Sequence, residues 1–147
     1  MPDIEKDYIK TGKVKYVFLD FPLGFHNKAF KAAEAANCAG DQGKFWQMHD
    51  RLYANQNALS PEDLLKHADA LGLEMSKFKE CLDGGKYAEE IRKDTAEGQK
   101  AGISGTPAFL MGFSESEGKV KAVNMITGAQ PYSAFKEAIE KLLSTGK

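Results

Sequence analysis

Apolar and polar positions repeat with two different periods along this chain, and the changes of period divide it into three parts. Residues 2–10 have the pattern of a short helix with Pro2 in its first turn and Gly12 as a left-handed cap after its end. Residues 13–23 alternate and are rich in β-branched and aromatic side chains, which predicts a strand. The near-continuous apolar centre of that segment indicates burial on both faces.

From residue 27 to residue 102 the apolar period is helical throughout. The third of the predicted helices has the clearest start, because Ser60 is a good N-cap and Pro61 suits the first helical position. Phe45 and Trp46 open another helix and are interpreted as part of the core of this region. The pattern predicts five helices, at residues 29–40, 45–53, 60–72, 76–82 and 87–100.

The last third returns to strands and ends in a helix. Residues 108–112 and 120–127 read as two strands joined by a polar turn at 114–118, where Glu115 and Glu117 are interpreted as solvated. A helix then opens at Pro131, and its apolar stripe includes Phe135 and Ile139. The element order is that of an α/β domain with a helical insertion.

Composition fits one ordinary globular domain of 147 residues, 42% of them hydrophobic. The 20 basic residues nearly balance the 21 acidic ones, so charge predicts neither nucleic acid nor an anionic membrane as a partner. We see no apolar stretch long enough to span a membrane and no secretory signal at the amino end.

The candidate reactive side chains are two cysteines, Cys38 and Cys81, and three histidines, His26, His49 and His67. Neither set has the spacing of a metal site, so no metal is predicted. The cysteines could be two small buried thiols. The spacing also leaves open a nucleophilic pair of Cys38 with His49, although no third group is indicated to orient the histidine.

One short motif points to a family. Gly105-Thr106-Pro107, followed by an apolar strand, resembles the cis-proline loop of the thioredoxin fold in its DsbA-like branch. Other segments match that branch in the same order along nearly the whole chain: Gly12-Lys13-Val14, Asp20-Phe21-Pro22-Leu23, Cys38-Ala39, Gly43-Lys44-Phe45-Trp46, His49-Asp50, Leu71-Gly72-Leu73 and Cys81-Leu82.

The resemblance implies a thioredoxin-like α/β fold with a helical insertion between the second and third strands of the family's fold. The whole of 1–147 is interpreted as a single DsbA-like domain, with a thioredoxin part at 1–23 and 103–147 and the insertion at 24–102. The family's first strand and the start of its first helix, where the CxxC motif lies, have no counterpart here. We therefore assign no catalytic residue, and expect the neighbouring strands to pair with each other or with another chain.

The same resemblance implies roles for four residues. Thr106 and Pro107 are the expected substrate-peptide binding residues, with the Thr106 backbone presented to an extended chain. Cys38 and Cys81 are candidates for a structural disulfide, as in some relatives. Closing that loop would stabilise the fold by about 4 kcal/mol in the chain-entropy account.

The expected function is that of a DsbA-like protein thiol–disulfide oxidoreductase domain that is redox-inactive in this form and uses no cofactor. Its expected partners are unfolded or cysteine-containing polypeptides, and a second copy through unpaired strand edges. The alternative is a non-catalytic, chaperone-like module that binds peptides at the proline loop. The resemblance implies a periplasmic location if the amino end is incomplete, and the sequence as written implies a cytoplasmic one.

Overall fold

The computed structural model describes residues 1–115 and 120–146, and within them the chain forms seven α-helices, a π-helical segment and two strands. The predicted turn at 114–118 lies partly outside the described residues. The helices are α1 (Pro2–Ile4), continued by the π-helical segment Glu5–Ile9, then α2 (Ala29–Gly40), α3 (Phe45–Ala54), α4 (Pro61–Ala70), α5 (Met75–Asp83), α6 (Ala88–Lys100) and α7 (Tyr132–Thr145), and the strands are β1 (Ala108–Ser114) and β2 (Val120–Thr127).

Contacts along the chain divide these elements between two units, each with its own core. Unit 1 comprises Met1–Phe18 and Ile103–Lys147 and contains α1, both strands and α7. Unit 2 comprises Leu19–Gly102 and contains α2 to α6. Unit 2 begins five residues before the segment 24–102, in which the sequence predicts a helical insertion, and ends at the same residue.

Unit 2 is built around the alanine-rich helix α2, which contacts α3, α4, α5 and α6. Small side chains on α2, such as Ala35 and Ala39, are fully buried and allow neighbouring helices to approach closely. Phe78 and Leu64 fill the space around them and are also fully buried. At the start of α4 the Ser60 hydroxyl accepts a hydrogen bond from the Asp63 amide, and the Asp63 carboxylate accepts one from the Ser60 amide. This capping box fixes the helix start that the sequence predicted.

In unit 1, β1 and β2 form an antiparallel hairpin in which Ala108 pairs with Thr127. The inner face of the hairpin packs on α7, with the Phe109 and Phe135 ring centroids 4.8 Å apart and edge to face. The register shifts between Met111 and Gly112. A side chain at Gly112 would clash with the backbone carbonyl of Lys121, so close approach of the two strands requires glycine there.

The amino-terminal helix completes the core of unit 1. Its second part is π-helical, because the Lys10 amide donates to the carbonyl of Glu5, five residues back, over 2.8 Å. Ile4 and Tyr8 are buried and pack with residues of α7. The predicted helix at 2–10 is therefore present, and Gly12 follows it with φ of 74°.

The strand predicted at 13–23 is wrong, because these residues form no sheet ladder. The two-residue period that suggested a strand is real: Tyr16 and Phe18 are half-buried, while Val17 and Leu19 are 57% and 59% exposed. A strand also needs a neighbour to pair with its backbone, and the sheet in the described residues contains β1 and β2 alone. The pattern therefore marks alternating side-chain burial without secondary structure, and the predicted burial on both faces is wrong.

The interpretation of Trp46 as a core residue is also wrong, since 47% of it is exposed. On helix α3, Met48 and Leu52 belong to the core of unit 2, and both are buried. Trp46 lies two residues before Met48, about 200° around the helix, and so faces the other way. Phe45 packs against the core and is partly buried, as the sequence suggested.

Candidate functional site

The loop that precedes β1 exposes both residues of its Thr106-Pro107 bond, which is cis. The Pro107 carbonyl accepts a hydrogen bond of 2.8 Å from the Gly128 amide, which ties the loop to the end of β2. Among the described residues, no partner is found for the backbone N–H or C=O of Thr106. An exposed, unpaired backbone at a fixed loop is the feature that an extended peptide needs for main-chain pairing.

A hollow of about 340 Å³ lies beside Pro107 within unit 1. Its apolar surface includes the edge-to-face pair Phe109 and Phe135. Polar groups are few, and come from Asp3, Gln130 and Tyr132. A mostly apolar concavity with a few polar groups is suited to an apolar side chain of a bound chain. The other lining residues are Met1, Ile4 and Ala129.

Two tyrosine hydroxyls hold the helices around this hollow. Tyr132, at the start of α7, donates to the Asp7 carboxylate of the π-helical segment. Tyr8 donates to Oε1 of Glu140 over 2.7 Å. Each hydrogen bond to a carboxylate raises the pKa of the tyrosine that donates it, so both hydroxyls stay protonated and act as donors. Nothing in the sequence indicates these two contacts, which join residues more than 120 positions apart.

The two cysteines lie in unit 2 and are bonded to each other. The Cα atoms of Cys38 and Cys81 are 5.8 Å apart, within the usual range for a disulfide, and the bridge joins α2 to α5. Both residues are buried. Since the Cys38 sulfur is bonded to Cys81, it offers no thiolate to His49, and the chain holds no free cysteine.

A buried polar group that the sequence analysis missed lies near the start of unit 2. Asp20 is 9% exposed, and its carboxylate accepts a hydrogen bond of 2.7 Å from Nδ2 of Asn37. The Asp20 amide donates to Oδ2 of Asp94 over 3.3 Å. Burial raises the pKa of Asp20, against the opposing effect of Asn37. The signal of this site in the sequence is an aspartate that directly follows the apolar residues 16–19.

The histidines have separate surroundings. His67 is buried, with Nδ1 accepting a hydrogen bond from Nε of Arg51 over 3.0 Å and Nε2 lying 2.9 Å from the carbonyl of Ala58. These contacts suit a neutral ring with its proton on Nε2. His49 contacts Asp50 through Nδ1. Over 1–115 and 120–146, no three potential ligands from histidine, cysteine or acidic residues are grouped to hold a metal ion.

Comparison with known proteins identifies the family. The model of the family described as Thioredoxin matches residues 1–141, so the chain belongs to the thioredoxin family. Its fold is similar to that of Wolbachia pipientis alpha-DsbA1, with a TM-score of 0.80 over 98% of this chain and 75% of that one, at 24% identity. The T172V variant of that protein gives the same TM-score at 23% identity. The DsbA-like thioredoxin fold expected from the sequence is therefore confirmed.

Similar sequences also occur within much longer proteins. The chain is 39% identical over 111 residues to the Na(+)/H(+) antiporter NhaA 3 of Salinispora tropica, a match that covers 75% of this chain and 17% of the antiporter. It is also 43% identical over 99 residues to the Na(+)/H(+) antiporter NhaA 1 of Salinispora arenicola. That match covers 67% of this chain and 15% of the antiporter. Among the described residues, no helix is long and apolar enough to cross a membrane.

Proposed function

We propose that this chain is a DsbA-like domain of the protein thiol–disulfide oxidoreductase type that binds unfolded or cysteine-containing polypeptides and carries out no thiol exchange in this form. The observation that carries the proposal is the exposed Thr106-Pro107 loop with its open backbone. An extended polypeptide would pair with the backbone of Thr106 and place an apolar side chain in the hollow beside Pro107.

The redox part of the proposal follows from the chemistry of exchange. Thiol–disulfide exchange begins with an accessible thiolate, and a second thiol resolves the mixed disulfide. Cys38 and Cys81 are both buried in one bridge, so neither supplies that thiolate. We propose that this bridge is structural, and that the protein works in an oxidising compartment such as the periplasm, where such bridges persist.

A non-catalytic, chaperone-like module is the second candidate, and the same exposed loop favours it. The two candidates agree on peptide binding and differ in whether the domain serves a thiol reaction. Adding a segment that carries CxxC ahead of Met1 would separate them: the oxidoreductase proposal expects catalysed reduction of insulin, and the module proposal expects none. The antiporter names of the longer relatives are not carried over, because the chain covers 17% or less of those two proteins.

The binding proposal is tested by changing the backbone at position 106. Thr106→Pro removes the N–H that an extended peptide would use, whereas Thr106→Ala keeps it and serves as the matched control. With a reduced, alkylated and unfolded polypeptide as probe, isothermal titration should give an affinity about fivefold weaker for Thr106→Pro, from the loss of one hydrogen bond. The control should bind within about twofold of the unaltered chain.

Equal affinities for the two variants and the unaltered chain would exclude Thr106 as a backbone contact. A circular dichroism spectrum of Thr106→Pro that matches the unaltered chain shows that the substitution leaves the fold in place. As a check on redox chemistry, the unaltered chain should not accelerate reduction of insulin by dithiothreitol. Acceleration would contradict the assignment of Cys38 and Cys81 to a structural bridge.

A further inference from the structure

Three aromatic rings follow one side of α3 and form what we call the α3 aromatic face: Trp46, His49 and Tyr53. The ring centroid of His49 lies 5.3 Å from that of Trp46 and 4.7 Å from that of Tyr53. Spacings of three and four residues place the rings in a single row along the helix. Met48, Leu52 and Phe45 make the core contacts of α3, and the ring of Trp46 lies edge to face with that of Phe45, with the centroids 5.1 Å apart.

Much of this aromatic surface is in contact with solvent. Trp46 is 47% exposed and Tyr53 is 59% exposed. The two exposed rings are joined through His49 into one patch, and contiguous exposed apolar patches often mark binding sites. Tryptophan and tyrosine present an electron-rich ring face, which attracts cations such as lysine and arginine side chains.

The charges around the α3 aromatic face are acidic. The Asp50 side chain is 80% exposed and lies 2.9 Å from Nδ1 of His49. Desolvation raises the pKa of the Tyr53 hydroxyl, and the nearby Asp20 carboxylate raises it further.

Two further features of α3 favour a cation at this face. The carbonyl end of a helix carries partial negative charge, and Tyr53 is the last residue but one of α3. The guanidinium group of Arg51, on the same helix, is held by the ring of His67. The face therefore combines exposed rings with an acidic surround, which complements a positively charged ligand and repels a negatively charged one.

We propose that the α3 aromatic face docks a lysine- or arginine-bearing segment of an unfolded polypeptide. The cationic groups stack on the rings of Trp46 and Tyr53, and Asp50 forms an ion pair with one of them. This binding site goes beyond the proposed function, because it lies in unit 2 and makes no use of the Thr106-Pro107 loop. It selects for charge, whereas the loop selects for an extended backbone.

Trp46 makes the proposal directly measurable, because it is the one tryptophan of the sequence. The unaltered chain is titrated with an unstructured glycine–serine peptide that carries lysines, and with a matched peptide that carries glutamates in their place. We expect the lysine peptide to change the fluorescence of Trp46 and to bind less tightly as salt is added. We expect the glutamate peptide to leave the fluorescence of Trp46 unchanged. No change of this fluorescence with the lysine peptide, or equal changes with both peptides, would overturn the proposal.

Substitutions at Tyr53 separate ring chemistry from simple apolar contact. Tyr53→Phe keeps the ring and should bind the lysine peptide as the unaltered chain does. Tyr53→Leu keeps apolar bulk without the ring, and should bind about fivefold more weakly. Equal affinities of these two variants would overturn the proposal.

Two more variants test the charge and the independence of the site. Asp50→Asn should weaken binding of the lysine peptide and reduce its dependence on salt. An unchanged affinity of Asp50→Asn for the lysine peptide would show that Asp50 forms no ion pair with the bound peptide. Thr106→Pro weakens binding at the loop but should leave the response of Trp46 fluorescence to the lysine peptide unchanged, so that failure at the loop and failure at this face can be told apart.

Discussion

Asp20 shows how a single residue couples the fold to pH. Its carboxylate is buried with Asn37 as a hydrogen-bond donor, and burial raises its pKa in the folded chain. As pH increases from about 4, the unfolded chain loses this proton before the folded chain does. The free energy of unfolding therefore decreases as pH rises through the pKa of the folded state, and the charged carboxylate destabilises the fold at neutral pH.

Asp20→Asn should therefore make the chain more stable near pH 7. The amide oxygen of asparagine can still accept from Asn37, while the buried charge is removed. The gain should shrink toward zero near pH 3, where aspartate is protonated in both states. Urea unfolding of both proteins at several pH values checks this. Asp69→Asn, at an exposed position, is the control. An equal gain of stability in this control, or a loss of stability in Asp20→Asn at pH 7, would show that the buried charge of Asp20 does not destabilise the fold.

Residues of this kind mark the limit of prediction from sequence. Thr106 and Pro107 could be singled out because their motif is local and specific. The contacts of Asp20 with Asn37 and Asp94 could not, because they join residues 17 and 74 positions apart. The exposure of Trp46 was missed for a different reason. Large aromatic residues are usually buried, so Trp46 was assigned to the core. Its position on α3, two residues before the buried Met48, instead places it on the outer side of the helix.

At the scale of the elements, helices were predicted well and strands were predicted unevenly. Helix α4 begins at Pro61 as expected, because a cap and a 3.6-residue period are local properties. The strand β2 has the predicted bounds, Val120–Thr127, because a neighbour in the hairpin pairs with it. Residues 13–23 carry the same kind of pattern without a ladder, since pairing depends on a partner that the pattern does not contain.

The disulfide between α2 and α5 gives a prediction at this scale. It closes a loop with a sequence separation of 43 residues inside unit 2. Replacing both Cys38 and Cys81 by alanine should lower the free energy of unfolding by about 4 kcal/mol, mainly because the unfolded chain gains conformational entropy. Chemical denaturation measures the loss, and dithiothreitol should reproduce it in the unaltered chain. A loss below about 1 kcal/mol would contradict a structural role for the bridge.

For the whole molecule, we propose that two copies associate through the sheet of unit 1. Over the described residues the sheet has two strands, so the outer edge of each strand is unpaired. Leu110 and Met125 are partners across the hairpin and are 43% and 41% exposed. Unpaired edges with apolar side chains recruit further strands. We expect light scattering after gel filtration to give a mass above the 16.1 kDa of one chain.

A charge on β1 should abolish that association. Leu110→Lys places a cation on the exposed side of the strand, and should give a mass of 16.1 kDa. Ala70→Lys adds the same charge at an exposed position of α4 and is the matched control. A single-chain mass for the unaltered protein at concentrations of tens of micromolar or more would contradict association.

The proposed function depends above all on binding of extended polypeptide at the loop before β1. Amide chemical shifts recorded while the unaltered chain is titrated with a reduced, alkylated and unfolded polypeptide test it most directly, because each residue reports separately. We expect the largest shifts at Gly105, Thr106 and the first residues of β1, and in Thr106→Pro we expect the shifts at Gly105 and β1 to require about fivefold more polypeptide. Shifts that leave this loop unmoved while the polypeptide binds would contradict it.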